Sequence, residues 1–320
     1  MSKKLKIWLI IGASLILIGA IIFLGAMTML KWDFSKLSTV KFETNKYELS
    51  EKFKDISIST KTADIHFVPS EDSRISVVCY EETKVKHSVS VKENALVIET
   101  VDTRKWYDYI NINFVTPKIT VNIPAEKYGK LLISNSTGNA EVPKDFTFEE
   151  IEISESTGDV NCYASALGEI KIKTSTGNIK LKDVSSGGLK LTVSTGDIIA
   201  ENSICNGNVI LNSTTGDTTL SNLECENIES NGSTGNLILN NVIAENKLSA
   251  KRSTGDINIE KCDASELFLK TSTGNVKGSL LSDKIFFTES STGDINVPKS
   301  TTGGKCEVTT STGNITFTII

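Results

Sequence analysis

Histidine is nearly absent. The 320 residues include two, His66 and His87, so most of the chain lacks the usual general base and the commonest metal ligand. The six cysteines form no C-x-x-C pair and no Cys/His metal spacing, and no Gly-rich phosphate loop is present. No Ser-His-Asp or Cys-His arrangement is suggested by spacing either. Proline (5) and aromatics (7%) are scarce against 22 glycines, a balance that favours many strands and turns over a thick aromatic core. Acidic residues are missing from the first 30 positions, and all 39 lie beyond them with 31 of the 34 basic ones. That part therefore carries a net charge of −8. A surface of that sign is a poor partner for nucleic acid, and none is expected.

What is present begins with "MSKKLK" and then "IWLIIGASLILIGAIIFLGAMTML", residues 7–30, which carry no charge. At 1.5 Å per residue the run spans roughly 36 Å, enough to cross a bilayer core of about 30 Å. A cleaved signal peptide would have a shorter apolar region ending in a small-x-small site, and no lipobox cysteine is present. The run reads as an uncleaved anchor whose partner is the lipid bilayer. Lys3, Lys4 and Lys6 precede it and only Lys31 follows closely, so residues 1–6 are expected in the cytoplasm and residues 31–320 outside. Trp8 and Trp32 flank the span at interfacial positions.

Ten Thr-Gly steps followed by Asn or Asp occupy the last two thirds of the chain. Their glycines are Gly138, Gly158, Gly177, Gly196, Gly216, Gly235, Gly255, Gly274, Gly293 and Gly313, spaced 19 or 20 residues apart. Two positions after the glycine nine of ten residues are apolar, Thr218 being the exception. Seven positions before it the residues are again apolar, as in Ile151, Ile170, Leu189 and Leu248. Alternation with a period of two on both sides of the turn means two half-buried strands per repeat. Such strands can stack as coils of a β-solenoid or fold as an antiparallel meander. Stacking puts equivalent positions of neighbouring coils in contact about 4.8 Å apart, which rewards repetition of one residue type. The strict spacing therefore predicts an all-β solenoid of about ten coils over residues 131–320.

The glycine is expected to supply a positive φ at a tight corner. The residue after it reads Asn139, Asp159, Asn178, Asp197, Asp217, Asn236, Asp256, Asn275, Asp294, Asn314. In a stack this alternation would separate carboxylates and let amides donate to them. The Asp197–Asp217 pair breaks it, and is read either as two solvated side chains or as a place for an exposed cation such as Ca²⁺. Cys205 and Cys225 share one offset, so they are expected as stacked neighbours within disulfide reach, with two thiols the preferred reading.

Residues 31–50 read as a juxtamembrane stalk and residues 51–130 as an irregular β cap, in which "STKTADIHF" is a worn copy of the repeat. Trp106, Tyr107 and Tyr109 form an aromatic group read as cap packing, with recognition as the alternative. The chain ends six residues after Asn314, so the last coil is expected to be an exposed edge.

The anchor, the "ISIST…ADIHF" opening, the "VNIPAE" strand and the STGD/STGN ladder resemble a bacterial family of unknown function. Its members are described as β-strand-repeat, putative-adhesin proteins and include LiaG-like envelope-stress proteins. The resemblance covers roughly residues 45–320 and implies a right-handed β-solenoid on the outer face of the membrane. It implies no catalytic residue, cofactor or metal. The expected function is a non-enzymatic binding or scaffolding protein, adhesin-like or stress-associated, with an envelope protein or glycan as partner. The alternative is an enzyme acting on envelope polysaccharide through Asp197 and Asp217.

Overall fold

The computed structural model describes residues 2–33, 40–109, 113 and 115–320. Helix α1 (Lys3–Met29) is capped by Ser2, whose Oγ accepts the Leu5 N–H. It is long and apolar enough to cross a membrane. Beyond it, among the described residues, the regular structure is β apart from the single helical turn Trp106–Tyr109.

The repeats stack in parallel, which rules out the meander. Ile170 faces Leu189, Ile172 faces Leu191 and Thr176 faces Thr195, so each coil lies in register on the next. In the strand Glu169–Thr176, Ile170 and Ile172 are fully buried while Glu169 and Lys173 reach solvent. This is the alternation that the sequence displays. One continuous apolar core runs through the stack, built from these stripes. A second corner recurs six residues after the glycine, where Asp183, Asn202, Asn222, Asn241 and Lys261 all adopt φ of 51–56°. Here Asn202 Nδ2 donates to Asp183 Oδ1, Asn222 to Asn202 and Asn241 to Asn222. These amides form a ladder along one edge of the solenoid.

At the N-terminal end the chain does not stack in sequence order. Strand β1 (Phe42–Leu49) lies within the segment expected to be a stalk, yet it belongs to the sheet. Strands β2 (Asp55–Thr62) and β3 (Asp64–Pro69) form a coil that lies directly on the Gly138 coil, with Ile56 facing Leu131 and Ile65 facing Ala140. The chain then makes the hairpin β4 (Ile75–Glu82) and β5 (Val85–Lys92). It returns as β6 (Ala95–Asp102) and β7 (Lys118–Ile123), a second coil stacked outside the first. The hairpin covers that outermost coil in antiparallel fashion, β5 on β6 and β4 on β7, and β1 extends β4. Two coils thus precede the ten that carry the glycine.

The C-terminal end is also out of order. The last coil in sequence, around Gly313, is not the edge. Its strands Gly304–Thr312 and Ile315–Ile319 lie between the Gly274 coil on one side and the Gly293 coil on the other. The outermost position belongs to the Gly293 coil, Lys284–Thr292 and Ile295–Asn296, which has no further strand beyond it among the described residues.

Candidate functional site

The repeated turn is fully consumed by stacking. Gly177 donates its N–H to Thr195 O in the next coil (2.9 Å), and Ile179 N–H donates to Asp197 O (2.9 Å). Asn178 N–H donates to Asp159 Oδ1 in the preceding coil (2.7 Å). This last bond recurs at every junction from Asp64 to Asp294, ten bonds of 2.7–2.9 Å. The glycine is forced twice over. Gly177 has φ of +134°, and a Cβ there would meet Gly158 O at 2.1 Å. Carbonyl and glycine pack too closely for any side chain.

The expected reason for Asn and Asp needs correction. These residues do not adopt positive φ. Nor do the amides answer the carboxylates, apart from Asn275 Nδ2, 3.5 Å from Asp256 Oδ1. What both residue types share is an oxygen, Oδ1, on Cγ, two bonds from Cβ, and that oxygen accepts the next coil's N–H. Spatial order also undoes the alternation, since Asn314 follows Asn275 and Asp294 is the terminal rung. The Asp197–Asp217 pair makes the same bond as every other pair, Asp217 N–H to Asp197 Oδ1 at 2.8 Å. Asp217 Oδ1 in turn accepts from Asn236 N–H at 2.7 Å.

A second column lies inside the turn, three residues before each glycine, and the apolar pattern does not reveal it. It serves the glycine carbonyl that points inward. Thr174 Oγ1 donates to Gly158 O (3.2 Å), Thr271 to Gly255 O (3.0 Å) and Thr310 to Gly274 O (3.0 Å). Asn135 Nδ2 does the same for Ala63 O (3.0 Å). Glu155 stands at this position in the Gly158 coil, 4% exposed, with neither carboxylate oxygen hydrogen-bonded. Burial pushes its carboxyl up to about 8, Asn135 opposing the shift and the Asp64 charge adding to it. The protonated acid is the form that can donate to a carbonyl as threonine does. Arg252 holds the same position over Gly232, whose missing side chain gives it room. Its Nη2 donates to Ser230 Oγ (3.0 Å), and burial pulls the guanidinium down to about 10.

In the cap the structure assembles residues that spacing did not connect. His87 Nδ1 lies 2.7 Å from Glu81 Oε2, and its Nε2 lies 3.0 Å from Thr60 Oγ1. This is the order hydroxyl, imidazole, carboxylate of a nucleophile with its base and orienting acid. All three are buried, however, and every partner is internal. Glu81 also accepts the His87 backbone N–H (2.6 Å) and Asn45 Nδ2 (2.7 Å), while Thr100 Oγ1 donates to Thr60 Oγ1 (3.1 Å). Cys79 completes a group of three ligand atoms within 4.8 Å of one another. Its thiol is pushed up to about 12, chiefly by burial. The arrangement is a satisfied network that ties β2, β4, β5 and β6 together.

All six cysteines are buried free thiols. Cys205 and Cys225 line one hollow of about 240 Å³ with Glu224, Glu226 and Glu245. His66 pairs with Glu141 across coils (3.2 Å). The aromatic group departs from the packing expected for it: Trp106 is 78% exposed, Tyr109 58% and Tyr107 49%.

With the stack and its turns in view, the comparisons decide the family. The Toastrack DUF4097 family model matches residues 53–208 and 196–319. The chain belongs to this family. No curated protein matches it. Among solved structures it is similar to a "putative adhesin" from Bacteroides fragilis, at 17% identity and TM-score 0.43, over 87% of this chain and 97% of that one. Another "putative adhesin", from Parabacteroides merdae, gives 14% identity and TM-score 0.47 over 87% and 96%. A "putative lipid binding protein" from Parabacteroides distasonis gives 17% and 0.44 over 75% and 95%. At this identity and superposition the likenesses carry no argument about function. The family match agrees with the putative-adhesin resemblance read from the sequence.

Proposed function

We propose that this Toastrack chain is a non-enzymatic binding or scaffolding protein of the cell envelope, anchored by α1 with residues 31–320 outside the membrane. The observation that carries this reading is the fate of the repeated turns. The ten junctions use their glycine and Asx backbone groups, and the Asx side-chain oxygens, in coil-to-coil bonds. The one carboxylate pair considered for glycan chemistry, Asp197 and Asp217, is tied into that ladder. A long, rigid stack of this kind suits display and contact, with α1 as a tether. The partner is an envelope protein or a glycan.

Protease treatment of intact cells tests the placement: the solenoid should be degraded without lysis, and protection until lysis would contradict it. Incubation of the purified chain with envelope glycans tests the absence of chemistry. Turnover that disappears in Asp217→Asn would replace the binding reading with the enzymatic one. Recovery of a signalling protein from cross-linked membranes would favour a regulatory role, and recovery of glycan alone would favour adhesion.

A further inference from the structure

The exposed aromatic group lies where the tether joins the cap. Residues 30–41 link α1 to β1, twelve residues that can span at most roughly 40 Å. The link ends at Lys41, whose carbonyl accepts the Thr83 N–H (3.0 Å) in the β4–β5 turn. The next residue, Lys84, holds the loop that follows β6. Its carbonyl accepts both the N–H and the Oγ1 of Thr103 (each 2.9 Å), and its ammonium pairs with Asp108. Tyr107 lies 5.9 Å from the same ammonium. The single turn Trp106–Tyr109 is thus fixed beside the point at which the chain arrives from the membrane.

Its chemistry is that of an interfacial surface. Trp106 and Tyr107 meet edge to face at 5.8 Å, Arg104 stacks on Tyr109 at 4.6 Å, and Lys105 lies 6.0 Å from Tyr107. Indole and phenol rings with basic neighbours favour the headgroup layer, where one end of each ring is apolar and the other wet. Asp102 and Asp108 already pair with Arg104 and Lys84. Strong attraction to anionic lipid is therefore not available, and the rings themselves must supply the affinity.

We propose that the Trp106–Tyr109 turn is a second membrane contact, seated in the headgroups of the bilayer that α1 crosses. The cap end of the solenoid is then held at the membrane and the Gly293 coil, at the opposite end, faces outward. This rests on α1 being the anchor. A lipid surface is favoured over a glycan because the patch adjoins the tether, which keeps it within reach of the bilayer throughout.

The test uses the full chain in vesicles of phosphatidylcholine and phosphatidylglycerol. The chain has three tryptophans, so Trp8→Phe with Trp32→Phe leaves Trp106 as the only one. Its emission should be quenched by lipids brominated near the headgroup, should be shielded from aqueous iodide, and should not change on adding salt. Trp106 open to iodide and untouched by brominated lipid, in protein that resists carbonate extraction, would overturn the second contact and leave the anchor standing. Extraction by carbonate would overturn the anchor, and the contact with it. Loss of lipid quenching on adding soluble envelope glycan would also overturn the proposal, in favour of a glycan patch. As a second measure, tryptic cleavage after Lys105 should be several-fold faster when Trp106, Tyr107 and Tyr109 are all changed to Ser. An unchanged rate would contradict shielding by the membrane.

Discussion

Ile119 and Ile295 are equivalent residues in the outermost coils at opposite ends of the stack. Ile119 is fully buried, whereas Ile295 keeps 44% of its surface exposed. The difference comes from what lies beyond each coil. At the N-terminal end the β4–β5 hairpin runs antiparallel to the coil and covers it, and β1 extends the hairpin on the far side of β4. At the C-terminal end nothing among the described residues follows the Gly293 coil. That end has a different arrangement: the final strand, Ile315–Ile319, pairs along its whole length with the Gly274 coil and, at Ile315 and Thr316, with the Gly293 coil as well. An unpaired edge still remains, but it belongs to an internal loop of chain rather than to a free end.

This contrast can be broken or sharpened by substitution. The largest effect is expected where the stack is complete. Gly177→Ala drives a Cβ into Gly158 O at a positive φ and should cost more than about 3 kcal/mol in chemical denaturation. The β2–β3 coil carries Ala63 at the same position, without a positive φ. There Ala63→Gly should cost about 1 kcal/mol or less. Similar costs at both sites would mean that the close approach of carbonyls is not what demands glycine.

Next comes the comparison of the two ends. Ile119→Ala should cost about 2–4 kcal/mol and Ile295→Ala less than about 1 kcal/mol. Equal losses would show that something covers the Gly293 coil in solution.

The pH dependence separates the interior column from the surface. Glu155 has its carboxyl raised from 4.5 to about 8 in the folded protein. The folded state therefore binds more protons than the unfolded one between those values. Stability contributed by this group is complete below the unfolded value and declines as pH rises toward 8, by up to about 1.4 kcal/mol per unit. Glu155→Gln should flatten that decline, and an unchanged slope would mean that the carboxyl is not held neutral.

The smallest effects concern the rungs. Asn178→Ala removes the acceptor of the Asp197 N–H in the middle of the stack and should cost about 0.5–1.5 kcal/mol. Asp294→Ala at the open end should stay within about 0.5 kcal/mol, because no coil lies beyond it among the described residues. Asp197→Asn should also be nearly neutral, since only the shared oxygen is used. A large loss there would restore a role for charge at the central pair.

Much of the fold was legible because stacking repeats residue types at fixed offsets. The glycines, the apolar stripes at Ile170, Leu189 and Leu248, and the worn coil at Ala63-Asp64 all follow from that. The second corner was readable too, in Asn202, Asn222 and Asn241 at one offset, but apolar periodicity does not look for it. Coil order at the ends left only faint traces, such as Gly278 where other coils are apolar and the Gly303-Gly304 pair before the last strand. Which coil lies beside which is decided by tertiary contact, and both orders bury similar stripes. The polar column of Thr174, Glu155 and Arg252 was hidden because a buried polar residue looks like a surface one until its partner is placed. The same limit applied to Glu81 and His87.

The most direct test of parallel stacking in this order is cross-linking in the outward column four residues before the glycine. Lys270 faces Thr309 in the adjacent coil, and Glu289 faces Thr309 on its other side. With coils about 4.8 Å apart, Lys270→Cys with Thr309→Cys should oxidise to a disulfide found by non-reducing peptide mapping, whereas Lys270→Cys with Glu289→Cys, two coils apart, should not. Bridging of the second pair and not the first would contradict the inserted last coil, and bridging of neither would contradict the stack itself.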